Sequence, residues 1–249
     1  MTMALGAVLI TGAGGGIGVA MCRAFRAAGY RVIATDRSRR DCECDAFITL
    51  DLGQLVNDDA VRETFRVEVE AALGDTPLRV IVNNAAIQTL ADSAALALPA
   101  FRHSLDVNVL APFVLAASFL DSLSAQQGVV INIGSVHAQL TKPGFLAYAV
   151  SKAALAGLTR SLALDLAPRG VRVNEIRPGA TATPMLLAGF ADDAEALAEV
   201  AGMQPLGRLA APAEIAAMAV FLASREAAFI TGTAVQVDGG IAARLHDPL

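Results

Sequence analysis

Basic residues, cysteines, long apolar runs and linkers are all scarce in this chain, and each scarcity removes a class of function. Lys and Arg number 19 against 24 Asp and Glu, giving a formal net charge of −5 and a pI near 5.2. A nucleic-acid binder needs a basic face. The one basic cluster, Arg37, Arg39 and Arg40, is followed at once by Asp41 and Glu43, so no nucleic-acid partner is expected. Mean hydropathy is high at +0.53, yet the longest apolar stretches, such as residues 109–120, are interrupted by Pro or Ser. They fall short of the roughly 18–20 residues of a membrane span. Much of the hydropathy is alanine, which favours helix over lipid insertion. Residues 1–6 carry no positive charge and run straight into a strand, so neither a signal peptide nor a membrane anchor is expected, and the location reads as cytoplasmic. The three cysteines are Cys22, Cys42 and Cys44. An odd count is no disulfide framework, and Cys42-x-Cys44 lacks a nearby His or second Cys pair for zinc. All three read as reduced thiols, and no metal site is expected.

What is present is a long, apolar, regularly alternating chain. With 249 residues, 55% of them hydrophobic, it can bury about three quarters of its unfolded surface. No linker, composition shift or repeat divides it, so residues 1–249 read as a single domain. Short β-branched runs at 7–11, 31–36, 47–51, 80–83, 129–133, 171–176 and 234–237 alternate with helical patterns, among them 57–73, 99–126, 148–168 and 212–224. Near-continuous apolar strands are buried on both sides. The pattern therefore predicts an α/β fold: a doubly wound, parallel, seven-stranded, Rossmann-like sheet with helices on both faces. The irregular segment 181–205 follows the carboxyl end of a strand, where open α/β sheets bind ligands, and reads as a substrate lid.

Directly after the first strand stands Thr11-Gly12-Ala13-Gly14-Gly15-Gly16-Ile17-Gly18, opening a helix. Glycines let the backbone turn sharply and approach a pyrophosphate, whose charge the free N–H groups of a helix N-terminus stabilise. The second strand ends in Asp36, 18 residues after Gly18. A carboxylate there accepts hydrogen bonds from the ribose 2′-hydroxyl of NAD and repels the 2′-phosphate of NADP. Arg37, Arg39 and Arg40 are able to embrace a 2′-phosphate if they fold back. Asp36 sits at the strand tip itself, and Gly15 leaves no basic side chain in the turn, so the expected cofactor is NAD.

Downstream, Tyr148 and Lys152 lie four apart on a predicted helix and hence on one face, with Ser135 thirteen residues before the tyrosine. A free phenol, with a pKa near 10, is a poor base at neutral pH. A lysine ammonium and a positive nicotinamide beside it favour the phenolate. Lowering its pKa by about 3 units takes about 4 kcal/mol of differential stabilisation. Tyr148 then accepts the substrate hydroxyl proton while hydride leaves the same carbon.

These motifs, in this order, resemble the short-chain dehydrogenase/reductase family over nearly the whole chain: the TGxxxGxG turn, Asp51-Leu52, Asn83-Asn84-Ala85-Ala86, Asn108, Ser135, Tyr148, Lys152, Pro178-Gly179 with Thr183, and Val237-Asp238-Gly239-Gly240. The resemblance implies that Ser135 hydrogen-bonds the reacting oxygen and that Lys152 also holds the nicotinamide ribose, while Asn108 anchors a water relaying protons to the lysine. It further implies that Gly12, Gly16, Ile17 and Gly18 line the pyrophosphate, Asp51 and Leu52 the adenine, Asn84 the adenosine side, and that Thr183 meets the cofactor near its nicotinamide. Ala86 departs from the family's usual glycine.

For the substrate, Gln88 and His137 follow strand ends on the catalytic edge. Gly134-Ser135-Val136-His137 resembles members acting on aldoses, and Ile87-Gln88 with His137 resembles members oxidising 3-hydroxybutyrate. A hydroxy acid needs a cationic clamp. Lys142 is the only lysine near Ser135, and Phe145 and Leu146 before Tyr148 are apolar, which leaves sugars, polyols, neutral alcohols or ketones as the expected small-molecule substrates. His103 reads as an exposed helix residue and His246 as part of a C-terminal tail. Long helices apolar on more than one side, with Ala153, Ala154, Ala156 and Gly157 among them, point to a partner subunit; the family resemblance implies a homotetramer, and a dimer fits the same pattern. Two rival readings remain open: an NADPH-dependent carbonyl or 3-oxoacyl reductase, and a non-catalytic NAD(H)-sensing regulatory protein.

Overall fold

Apolar runs without a polar break must be covered on both faces, and the inner strands of the sheet are so covered. The computed structural model describes residues 5–190 and 193–244. Its strands are β1 (Ala7–Thr11), β2 (Arg31–Asp36), β3 (Ala46–Thr49), β4 (Leu78–Asn83), β5 (Val129–Ile133), β6 (Arg172–Pro178) and β7 (Ala234–Val237). They form one sheet in the order β3-β2-β1-β4-β5-β6-β7, parallel throughout. The helices are α1 (Gly16–Ala27), α2 (Leu52–Asn57), α3 (Asp59–Leu73), α4 (Leu98–Leu105), α5 (Ala111–Ser118), α6 (Leu120–Ala125), α7 (Leu146–Leu166), α8 (Pro184–Ala188), α9 (Ala194–Met203) and α10 (Pro212–Ala223).

Strand alternation divides the core in two. Val8, Ile10, Val32, Val80, Val82 and Ile131 meet Met21, Cys22 and Phe25 of α1 and Ile215, Ala219 and Leu222 of α10. Leu9, Ile33, Ile81, Val130 and Val173 meet Phe65 and Val69 of α3, Leu115 of α5, and Leu162 and Leu166 of α7. This is the doubly wound Rossmann-like architecture expected from the pattern. The chain runs outward from β1 to β3, then crosses back to β4. The order therefore reverses between β1 and β4, and the crevice outside their carboxyl ends is where such sheets hold ligands. No helix among the described residues is long and apolar enough to cross a membrane.

Of the boundaries that differ from the sequence reading, four have a clear local reason. The third strand stops at Thr49 because Asp51 turns to cap α2, its Oδ1 accepting from the Gly53 and Gln54 amides at 2.8 and 3.2 Å. The helix expected over 57–73 begins afresh at Asp59, because Asp58 is extended and caps α3 through the Ala60 and Val61 amides. The helix expected over 99–126 is three helices with a π-helical turn, Asp106–Leu110, between the first two. There the Asn108 side chain bonds a distant loop, and Pro112 has no N–H to offer the carbonyl four residues before it, that of Asn108. The segment 181–205 is not irregular: it carries α8 and α9. His103 is exposed on α4, and His246 lies outside the described residues.

Candidate active site

Between β1 and α1 the backbone forms a cradle that side chains would fill. Gly12 adopts φ +64°, and a Cβ there would stand 2.6 Å from the Ala85 Cα. At Gly18 a Cβ would overlap the Gly12 carbonyl, so the helix enters directly against the turn. Gly15 caps α1 with no side chain. Among the described residues no acceptor meets the amides of Gly16, Ile17 and Gly18. Unpartnered amides at the positive end of a twelve-residue helix suit an anion such as a pyrophosphate. The chain therefore fits a dinucleotide.

The residues around the cradle are tied to it. Asn84 spends its amide on the turn, its Nδ2 donating to the carbonyls of Thr11 (3.1 Å) and Gly12 (2.9 Å). Thr11 Oγ1 accepts in return from the Asn84 and Ala85 amides, both at 3.1 Å. Asp36 Oδ2 accepts from the Gly14 amide at 3.0 Å and Oδ1 from the Arg37 amide at 2.7 Å. A carboxylate carries about four acceptor sites, so capacity is left for a ribose. The Arg40 stem runs alongside, its Cδ 3.2 Å from the position of a Cβ on Gly14. Leu52 is buried and Asp51 half-buried. Thr183 caps α8 and presses on α1: a Cβ on Gly16 would lie 3.0 Å from the Thr183 Cβ and 2.9 Å from Pro184 Cδ. The start of the 181–205 segment thus touches the cradle itself.

At the carboxyl end of β5 three of the expected residues converge. Ser135 is buried and its Oγ accepts from the His137 amide at 3.1 Å. Lys152, fully buried on α7, reaches back to donate to the Ile133 carbonyl at 2.7 Å, and its Nζ is 5.5 Å from the Tyr148 ring centre. Asn108 is held from both sides. Its Oδ1 accepts from the Ile87 amide at 2.9 Å, and its Nδ2 donates to the Ile87 carbonyl at 3.0 Å and to Ser151 Oγ at 2.9 Å. Ser151 in turn donates to the Tyr148 carbonyl at 2.7 Å, linking the π-turn to the tyrosine's helix.

Burial dominates the electrostatics of the pair. Burial pushes the Tyr148 phenol above its ordinary value, with the Ser135 hydroxyl pulling the other way. Burial also pushes the Lys152 ammonium down to about 8, the Glu175 carboxylate opposing. Two desolvated groups do not make a phenolate by themselves; the lowered Tyr148 pKa is expected only with the lysine and the positive charge of a bound nicotinamide together.

On the substrate side, His137 stands beside Tyr148, ring centres 5.7 Å apart and edge to face, whereas Gln88 is exposed and makes no side-chain hydrogen bond among the described residues. His137 lies flat on Phe145, 4.5 Å between centres and 3° between planes, and its Nδ1 is 3.2 Å from Thr141 Oγ1. Lys142 places its Nζ 4.8 Å over Phe145. Burial, then the Lys142 charge, holds the His137 pKa below its ordinary value, so the ring is neutral at pH 7. Sequence reading took Phe145 only as an apolar neighbour of Tyr148. The spacing of Lys142 and Phe145, three apart and just before the helix, was the available signal, but their stacking on His137 depends on a turn it does not encode.

A family model described as enoyl-(acyl carrier protein) reductase matches residues 12–242. The chain is 35% identical over 242 residues to 3beta-hydroxysteroid dehydrogenase 1 of Eggerthella lenta, covering 94% of this chain and 92% of that protein. It is 37% identical over 239 residues to a galactitol 2-dehydrogenase (L-tagatose-forming) of Cereibacter sphaeroides, covering 93% and 92%. Its fold matches the aldohexose dehydrogenase of Thermoplasma acidophilum in ligand-free form with a TM-score of 0.89, at 29% identity and over 98% and 97% of the two chains. Solved structures of like fold include complexes with NADH and with NADP.

Proposed function

This chain belongs to the short-chain dehydrogenase/reductase family, and within it we propose an NAD(H)-dependent dehydrogenase that reversibly oxidises a secondary alcohol or sugar hydroxyl to its carbonyl. The observation that carries the reading is the meeting of Ser135, Tyr148 and Lys152 at the end of β5, across the crevice from the α1 cradle. The amides of Gly16, Ile17 and Gly18 and the turn at Gly12 hold the cofactor pyrophosphate, Asp36 the adenosine ribose, Asp51, Leu52 and Asn84 the adenine side, and Lys152 and Thr183 the nicotinamide end. When bound, the nicotinamide supplies the acceptor for the carbon-bound hydrogen and a positive charge close to Tyr148.

The chain's own part is proton handling and orientation. Ser135 donates to the reacting oxygen where charge develops. Tyr148 Oη takes the hydroxyl proton in oxidation and returns it in reduction. Lys152 keeps a cation beside the phenol, and Asn108, pinned to Ile87 and Ser151, leaves its carbonyl for a relay water at the π-turn. His137, neutral and held flat by Phe145, presents its free Nε2 to a second polar group of the substrate, with Gln88 at the rim. The galactitol and aldohexose dehydrogenases among the relatives favour a polyhydroxy substrate.

NAD over NADP rests on Asp36 at the strand tip. The NADPH-reductase alternative draws on Arg40, whose stem lies along Gly14 next to that carboxylate, and on a related acetoacetyl-CoA reductase of Acinetobacter. The test is reduction of NAD and of NADP across a panel of aldoses, polyols, 3-hydroxy acids and secondary alcohols. The expected result is a polyol or aldose rate with NAD at least tenfold above that with NADP. An NADP preference overturns the cofactor assignment, and tight NADH binding without turnover on any member favours the sensor.

We also propose a homotetramer located in the cytoplasm. Phe113 on α5, Val150 and Leu164 on α7, and Phe229 before β7 are all exposed, Leu164 at 77% and Phe229 fully. Large apolar side chains left exposed on these elements support their burial against partner subunits. Sedimentation equilibrium should give four times the 25.6 kDa chain mass; a single-chain mass at micromolar concentration would refute self-association.

A further inference from the structure

Strand β6 buries two charged side chains, Glu175 and Arg177. Glu175 is 1% exposed and Arg177 6%. Arg177 Nε donates to Glu175 Oε1 at 2.9 Å and Nη2 to Oε2 at 3.3 Å. Burying such a pair gains little over apolar residues of the same volume, so stability alone does not account for it. Its placement does. Two apart on the strand, the pair shares the sheet face on which α7 lies, and Glu175 stands opposite Asn132 of β5. The carboxylate rests on Gly134, where any Cβ would overlap Oε1. On one side of Gly134 is Ile133, whose carbonyl takes the Lys152 Nζ at 2.7 Å; on the other is Ser135. One buried carboxylate therefore backs both the lysine's anchor and the serine.

Resting on the dehydrogenase reading above, we propose that Glu175 is a positioning residue for the Tyr148–Lys152 pair: clamped by Arg177 against Gly134, it fixes the Ile133–Ser135 turn and holds the Lys152 side chain there as an ammonium. Around that ammonium, α7 contributes Tyr148, β6 contributes Glu175 with Arg177 paired to it, and the turn after β5 contributes His137, itself neutral. Ser151 and Asn108, on the side of the π-turn, carry no charge. Among the described residues Glu175 is thus the one negative charge opposing the desolvation of Lys152, whose pKa burial has pushed to about 8. Without it the ammonium is lost at lower pH, and Tyr148 loses its cation in the range where oxidation has to run.

The sequence offers a direct probe, because Lys142 and Lys152 are its only lysines. Lysine labelled with carbon-13 at Cε gives two titrating NMR signals, with exposed Lys142 as internal control. Glu175→Gln alone strands a buried guanidinium and is prone to misfold, so the informative variant is Glu175→Gln with Arg177→Gln, which is neutral as a pair. Its Lys152 midpoint should fall by about one unit while that of Lys142 stays. A Lys152 midpoint that does not move overturns the proposal. In NAD-linked oxidation the same variant should match the parent below about pH 6, where Lys152 is an ammonium in both, and fall behind it by up to about tenfold as pH rises through about 7 to 9, where only the parent keeps a substantial ammonium fraction. A uniform loss at all pH values points to a structural role only and also overturns it. If the unsubstituted protein shows no turnover, the dehydrogenase reading falls, but the lysine titration still decides the role of Glu175.

Discussion

Tyr148→Phe should lower kcat for alcohol oxidation by about three orders of magnitude, in the range that a positioned acid/base contributes. The change removes one oxygen and little else. The phenyl ring retains its edge-to-face contacts with Phe145 and His137, at 6.3 and 5.7 Å between centres, and Lys152 keeps its bond to the Ile133 carbonyl. NADH affinity, read by fluorescence titration, should stay within about twofold, since uniform binding contacts are untouched. Stability should change by no more than about 1 kcal/mol, because the deleted hydroxyl is one whose burial is itself unfavourable to its charged form. A drop in kcat of less than tenfold would mean that another group moves the proton. A sensor without turnover would bind NADH identically before and after the change, with no rate to lose.

Some of this was legible in the residues and some was not, and the division follows physical range. Strands such as β1 and β5 were readable to the residue because a short β-branched run bounded by turn residues, buried throughout, suits a central strand of a parallel sheet. The glycine turn was readable because Gly12 and Gly18 occupy positions where a Cβ has no room. Helix ends set by a neighbour were not. Asp58 reads equally well as a surface helix residue or as a cap, and the break at Asn108 arises from its bonds to Ile87, 21 residues away in sequence. The stacking of His137 on Phe145 and the reach of Glu175 to Gly134 join separate elements, so no local pattern announces them. The Tyr148–Lys152 spacing correctly put the two residues on one face, but the sign of their pKa shifts depends on burial, which spacing does not measure.

The cost of that burial leads to the second large effect: Lys152→Met should abolish detectable turnover, at least a hundredfold below the parent, while making the protein more stable near pH 7. Lys152 is 2% exposed, and its pKa has been pushed by burial from 10.5 to about 8. That shift amounts to about 3 kcal/mol carried by the folded state when the group is charged. Methionine fills the same linear slot without a charge. It also gives up the bond to the Ile133 carbonyl, worth about 1 kcal/mol, so a net gain of about 1–2 kcal/mol is expected in urea unfolding at pH 7. The pH dependence fixes the cause. Between about 8 and 10.5 the unfolded chain holds the Lys152 proton and the folded chain does not, so parent stability rises with pH through that window. The variant lacks this contribution. Its advantage should be full below pH 8, shrink steadily above it, and disappear by the top of the window, where the lost Ile133 bond leaves it slightly less stable than the parent. An advantage independent of pH would assign the gain to packing, and a variant less stable at pH 7 would mean that the Ile133 and Glu175 contacts outweigh desolvation. The first outcome expected here describes a site that holds a destabilising charge in place for the reaction it serves.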